Sequence, residues 1–123
     1  VFVECDANVK IEITSGSTLD AQGINSEKIV FRGSTGTPGF WDGIYANSNS
    51  TLILDYVTID HGGSGFSSYQ GCLNVSSFVS TTSSSVTNCA FLNGSVYDLF
   101  FNGGTDVLGI KDVANNNIYV TSN

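Results

Sequence analysis

Residues 40–65 read FWDGIYANSNSTLILDYVTIDHGGSG. Three short apolar runs, 43–45, 51–54 and 56–59, follow one another in this stretch, and each is closed by Gly, Asn, Ser, Asp or His. Runs of this length bounded by turn-forming residues read as β-strands. A helix would keep apolar residues at i, i+3, i+4 and i+7 over 11 to 18 positions, and no window of the chain does so without a Gly, Asn or Ser cluster breaking in. Almost no helix is expected.

The same grammar extends in both directions. Towards the N-terminus, Val9, Ile11 and Ile13 alternate with Lys10 and Glu12, and Leu19, Ala21 and Gly23 alternate with Asp20 and Gln22, so one side of each piece faces a core and the other faces water. Further short strands are expected at 1–3, 29–31, 73–75, 86, 89–92, 96–101, 107–110 and 118–120. Short strands can build a sandwich, a barrel or a solenoid. Two-residue turns that favour antiparallel hairpins occur only at Asp42-Gly43 and Asn93-Gly94, and neither joins two long alternating strands. The pattern therefore favours a coil in which each strand pairs with the one a full turn later. Rungs of about 20 to 25 residues would give about five rungs across one domain, 1–123.

Composition fits this fold and bounds the partners. Hydrophobic residues make up 41% of the chain and charged residues 12%, so the surface must be built from Ser, Thr, Asn and Gly. That balance disfavours helices and excludes a disordered chain. A net charge of −7, with Lys10, Lys28, Arg32 and Lys111 scattered, argues against nucleic acid as a partner. No run approaches the roughly 20 apolar residues of a membrane-spanning helix, so no membrane insertion is expected. There is no Met, so Val1 is not read as a translational start. The expectation is a trimmed or mature secreted form, extracellular or on a cell surface. Cys5, Cys72 and Cys89 lack zinc-site spacing, and their odd number leaves at least one thiol unpaired. A Cys72–Cys89 bridge stays open, although Cys89 reads first as a small buried hydrophobe.

From Val1 to about Leu92 the sequence resembles right-handed parallel β-helix repeats of the pectate-lyase-like superfamily, as found in bacterial surface and secreted proteins. Early positions that carry the likeness are Val3, Val9, Ile11 and Ile13, then Gly16, Ser17, Leu19, Ala21 and Gly23, then Ile29, Val30 and Phe31. The more specific stretch is Pro38, Gly39, Trp41, Gly43 and Ile44, followed by Leu54, Tyr56, Val57, Ile59, Gly62 and Gly63. Cys5-Asp6-Ala7 stands where that family usually has a Pro-Gly turn. The resemblance implies an all-β, right-handed, single-stranded parallel β-helix, with Asn and Ser at its corners bonding from rung to rung. A solenoid's ends offer unpaired strand edges, so they need terminal segments, additional sequence or a second copy, giving a homodimer through the ends.

Candidate functional residues fall in a few clusters. Asp55, Asp60 and His61 surround the run 56–59, and carboxylates beside an imidazole can perform acid–base hydrolysis of glycosidic bonds. If that run is one strand, however, the two Asp lie about 16 Å apart, too far to flank one bond, and corner residues capping backbone amides is the competing account. Phe40, Trp41 and Tyr45 could stack on sugar rings, with burial against the coil as the alternative for Trp41. Asp106, in GGTDVL, faintly resembles one copy of a calcium-binding β-roll repeat, but that motif works by repetition. The segment 76–87, rich in hydroxyl side chains, reads as a loop or a polar rung edge. No cofactor is implied. A lyase would need a basic residue near an acid cluster, and Arg32 is the only Arg.

Three functions follow from these residues. The first is a non-catalytic module that binds a polysaccharide or acts as a structural or adhesive spacer. The second is a fragment of a polysaccharide lyase or glycoside hydrolase, and the third is an ice-binding solenoid with Thr aligned along one face. Acidity, small polar residues and the lack of a convergent catalytic set favour the first.

Overall fold

The computed structural model describes residues 1–66 and 69–123. Eleven short strands wind into an all-β, single-stranded parallel solenoid: β1 (Phe2–Cys5), β2 (Lys10–Ile13), β3 (Thr18–Gln22), β4 (Ile29–Gly33), β5 (Gly43–Ala46), β6 (Thr51–Asp55), β7 (Val57–Asp60), β8 (Gly71–Ser76), β9 (Ser85–Thr87), β10 (Ala90–Leu92) and β11 (Tyr97–Asn102). Sheet A runs β1-β4-β7-β10, sheet B runs β2-β5-β8-β11 and sheet C runs β3-β6-β9, every pair being parallel. Among the described residues the only helical segment is a single 3₁₀ turn, Val113–Asn115, and no helix is long and apolar enough to cross a membrane.

The solenoid has three full coils and two strands of a fourth, where the sequence pattern predicts about five rungs. Each coil visits three sheets, and its corner loops make it longer than the rung expected from the strand spacing. Coil length also varies along the chain: Gly43 stands in register with Lys10, and Leu99 with Leu73, which is a shorter step. A second difference is 107–110, expected as a strand and found as a turn. The Asp106 carboxylate accepts the backbone N–H groups of Ile110 at 2.9 Å and Lys111 at 2.8 Å, and this curls the segment so that Ile110 plugs the end of the core. Residue 118 forms an isolated parallel bridge to Ala90 in place of a strand.

Inward side chains stack coil upon coil. Sheet A contributes Val3, Phe31, Ile59 and Phe91; sheet B contributes Ile11, Ile44, Leu73 and Leu99, with Ile13, Ala46, Val75 and Phe101 beside them; sheet C contributes Ala21, Leu54 and Val86. Strands buried on one face and stacked in this way need apolar residues at alternate positions, which the sequence supplies. Corners between strands use left-handed backbone at Asn8, Asn49, Asn88 and Asn93, with φ between 52° and 60°, and Asn116 adopts the same conformation at the end of the 3₁₀ turn. At one corner the side chains form a ladder: Asn116 donates to Asn88, and Asn88 donates to Asp55 at 2.7 Å. Gly43 marks a place where only glycine fits. Its φ is 86°, and a Cβ there would lie 2.6 Å from the backbone oxygen of Cys72 in the next coil.

The three cysteines are all buried and free, so no Cys72–Cys89 bridge forms. The Cys72 thiol donates to the Leu92 carbonyl at 3.1 Å and the Cys89 thiol to the Thr87 carbonyl at 3.0 Å. Burial disfavours the thiolate, pushing Cys72 from 9.0 up to about 12 and Cys89 up to about 11. In the unfolded chain these thiols ionise near 9, so the folded state holds more protons above that pH. Their contribution to stability is therefore complete below pH 9 and declines as pH rises towards 11 and 12. Urea unfolding at pH 8 and pH 10.5 should show the loss, at up to about 1.4 kcal/mol per thiol per pH unit. A Cys72→Ala/Cys89→Ala double variant should lose that part of the slope.

Candidate functional site

Outward positions of sheet B carry a column of in-register residues, Glu12, Tyr45, Asn74 and Phe100, one from each coil. Strand spacing of about 4.8 Å places Tyr45 and Phe100 about 10 Å apart along the solenoid axis. Tyr69 meets the ring of Tyr45 edge-on at 5.7 Å, and Tyr97 stacks on Phe100 at 6.0 Å. All four rings are half-buried. Asn74 lies between them in the column and is fully buried. Its side chain accepts the N–H of Gly71 at 2.9 Å and donates to the carbonyls of Gly71 at 2.7 Å and Ile44 at 3.2 Å. Its polar groups are thus satisfied internally.

Polar groups border this strip at the first coil. Lys10 bonds the Tyr69 hydroxyl at 2.6 Å and pairs with Glu12 at 3.0 Å, and Asn47 donates to Glu12 at 2.7 Å. The Tyr69 hydroxyl and then Glu12 hold the Lys10 ammonium above its ordinary range, and Lys10 and then Asn47 hold Glu12 below its own. The result is an aromatic strip, edge-on at Tyr45 and Tyr69 and stacked at Tyr97 and Phe100, with charged and amide hydrogen-bonding groups at one end. That combination suits a ligand with one apolar and one hydroxylated face.

The residues singled out from sequence are distributed differently. Tyr45 is part of the strip. Phe40 is half-buried at the corner beside Gly33, and its carbonyl accepts the N–H of Asn8 at 3.0 Å. Trp41 is fully buried and its indole N–H donates to the Asp60 carbonyl at 2.9 Å. Asp55 and Asp60 close β6 and β7 on different sheets and have separate partners. Asp55 accepts from Thr87 at 2.9 Å and Asn88 at 2.7 Å, whereas Asp60 accepts from Asn93 at 2.8 Å and lies 2.8 Å from Nδ1 of His61. Asp106 spends both carboxylate oxygens on its own turn. Among the described residues no group of three or more His, Cys, Asp or Glu side chains could hold a metal ion.

Residues that the sequence does not bring together do meet in space. Arg32 lies in register between Glu4 and Asp60 on sheet A and bonds Glu4 at 2.6 and 3.1 Å. These three line a groove of about 240 Å³ with His61, Ser34 and Thr35. Tyr69, Tyr97 and Phe100 are likewise invisible in the sequence as companions of Tyr45, because coil register brings Phe100 into its column and ring contacts add Tyr69 and Tyr97. No protein-family model, curated protein or solved structure matches this chain.

Proposed function

We propose that this chain is a non-catalytic, secreted or cell-surface β-helix module of the pectate-lyase-like type, which binds glycan along the outer face of sheet B. The observation that carries this reading is the group of four half-buried rings, Tyr45, Tyr97 and Phe100 on sheet B and Tyr69 set against Tyr45 from the loop before β8. Sugar rings stack on such surfaces through their C–H faces while their hydroxyls take bonds from the rim, here Lys10, Glu12 and Asn47. Ladder bonds hold Tyr45, Tyr97 and Phe100 at fixed spacing and the Lys10 bond holds Tyr69 against Tyr45, so little entropy is lost on binding. Glycan-array screening followed by calorimetry on the best oligosaccharide tests the reading. Tyr45→Ala and Phe100→Ala are each expected to weaken binding about tenfold, with the strand circular dichroism unchanged. Absence of binding, or binding indifferent to both substitutions, would overturn it.

A second reading is a polysaccharide-cleaving fragment. It is favoured by the groove in which Arg32, Glu4, Asp60 and His61 converge. An assay for reducing-end or unsaturated products, run on the same oligosaccharides, decides between the two.

A further inference from the structure

The two ends of the solenoid are built differently. At the C-terminal end, side chains take over the edge of the last coil: Asn117 accepts the N–H of Cys89 at 2.9 Å, and Asn123 accepts that of Phe101 at 2.7 Å and donates to its carbonyl at 2.7 Å. Ile110 closes the core beneath them. At the other end β1, β2 and β3 are each the last strand of their sheet. Their outer main-chain groups face no further strand among the described residues. The inward side chains Val3, Ile11 and Leu19 are only half-buried there, and Phe2 is 64% exposed.

A cover for this end must offer three strands at once, one to each sheet, and apolar groups above Val3, Ile11 and Leu19. The geometry points to a second copy of this chain, docked open end to open end about a two-fold axis that passes through Ile11. Such a rotation carries sheet B onto itself, exchanges sheets A and C, and reverses the sense in which the chain circulates. Strand β2 then pairs antiparallel with its own copy while β1 pairs with β3. Because the opposite end is closed, association is isologous and stops at two copies.

The sequence carries the register this requires. Ile11 stands midway between Val3 and Leu19 in the chain, so a single register serves all three sheets. Ile11 meets Ile11 of the partner subunit, Val3 meets Leu19 of the partner subunit, and both pairs point into the shared core. On the outer side Lys10 meets Glu12 of the partner subunit, twice by symmetry. The neighbouring registers that keep apolar residues inward would set Glu12 on Glu12 or Lys10 on Lys10, and like charges directly opposite one another are disfavoured. Charge thus selects the same alignment that the apolar spacing does.

Sedimentation velocity on the full chain across the micromolar range should give twice the 13.0 kDa chain mass. Glu12→Lys, which sets lysines opposite each other, should weaken the dimer at least about tenfold, and Lys10→Glu/Glu12→Lys should restore it. Directly opposite antiparallel residues lie within disulfide range. Ile11→Cys should therefore cross-link under mild oxidation, and Val3→Cys should do so only when mixed with Leu19→Cys. Circular dichroism checks that each variant keeps its strands, and the cysteine pairs test the register independently of the charge series. A monomer throughout, a dimer indifferent to Glu12→Lys, or cross-linking of Val3→Cys with itself would overturn the proposal. The first of these would leave the open end to a cover of another kind.

Discussion

Replacing Trp41 with alanine should destabilise the fold by about 4 kcal/mol, lowering the midpoint of thermal unfolding by roughly 15 °C for a chain of this size. The indole is fully buried at the corner between sheets A and B, where the ring lies 3.4 Å from the place a Cβ on Gly62 would take. No small side chain can refill that volume, because the surrounding glycines and backbone are fixed by ladder bonds on both sides. The lost indole N–H also leaves the Asp60 carbonyl without its donor. Trp41→Phe keeps most of the volume and removes the donor, so it should cost less than half as much. Differential scanning calorimetry on the two variants separates packing from hydrogen bonding. If alanine and phenylalanine cost the same, the packing account is wrong.

Much of this fold can be read from the residues, because local alternation is a direct consequence of strand geometry. Val9, Ile11 and Ile13 are spaced for one face, and β2 places Ile11 and Ile13 inward. The scarcity of hairpin turns points to parallel pairing, and every ladder among the named strands is parallel. Asn at corners is what the β-helix resemblance implies, and Asn88 and Asn93 sit at positive φ between β9, β10 and β11. Coil length is not legible, since corners vary in size and loops such as 34–42 and 77–84 add residues without adding strands. Tyr56 reads as the start of a strand, yet it forms the corner between β6 and β7 at φ 49°. An aromatic residue in left-handed backbone is rare, and the sequence around it offers no glycine to announce the turn.

The surface is harder to read for the same reason. A column such as Glu12, Tyr45, Asn74 and Phe100 is set by register, and the unequal steps between its members follow corner lengths rather than any visible period. Arg32 and Asp60 are well separated in the chain, yet they stand in register across β4 and β7. Sequence alone identifies which residue types could do chemistry, but their neighbourhoods belong to the coil.

The C-terminal cap yields the second large effect: Asp98→Ala should cost about 3 kcal/mol and release the last segment before the rest of the solenoid. Asp98 is buried, and its carboxylate accepts three backbone N–H groups, from Gly94 at 2.9 Å, Val120 at 2.8 Å and Thr121 at 3.0 Å. Alanine removes all three acceptors at once and opens a path for water to the edge of β11. Asp98→Asn keeps one oxygen but turns its other acceptor into a donor aimed at N–H groups, so it should recover little of the loss. Amide hydrogen exchange localises the effect. Gly94, Val120 and Thr121 should exchange faster by about two orders of magnitude while Leu54 and Ile59, in the middle coils, keep most of their protection, because each coil of a solenoid depends chiefly on its neighbours. Uniform acceleration through all coils would mean that the cap and the solenoid unfold as one unit, and the local account would fail.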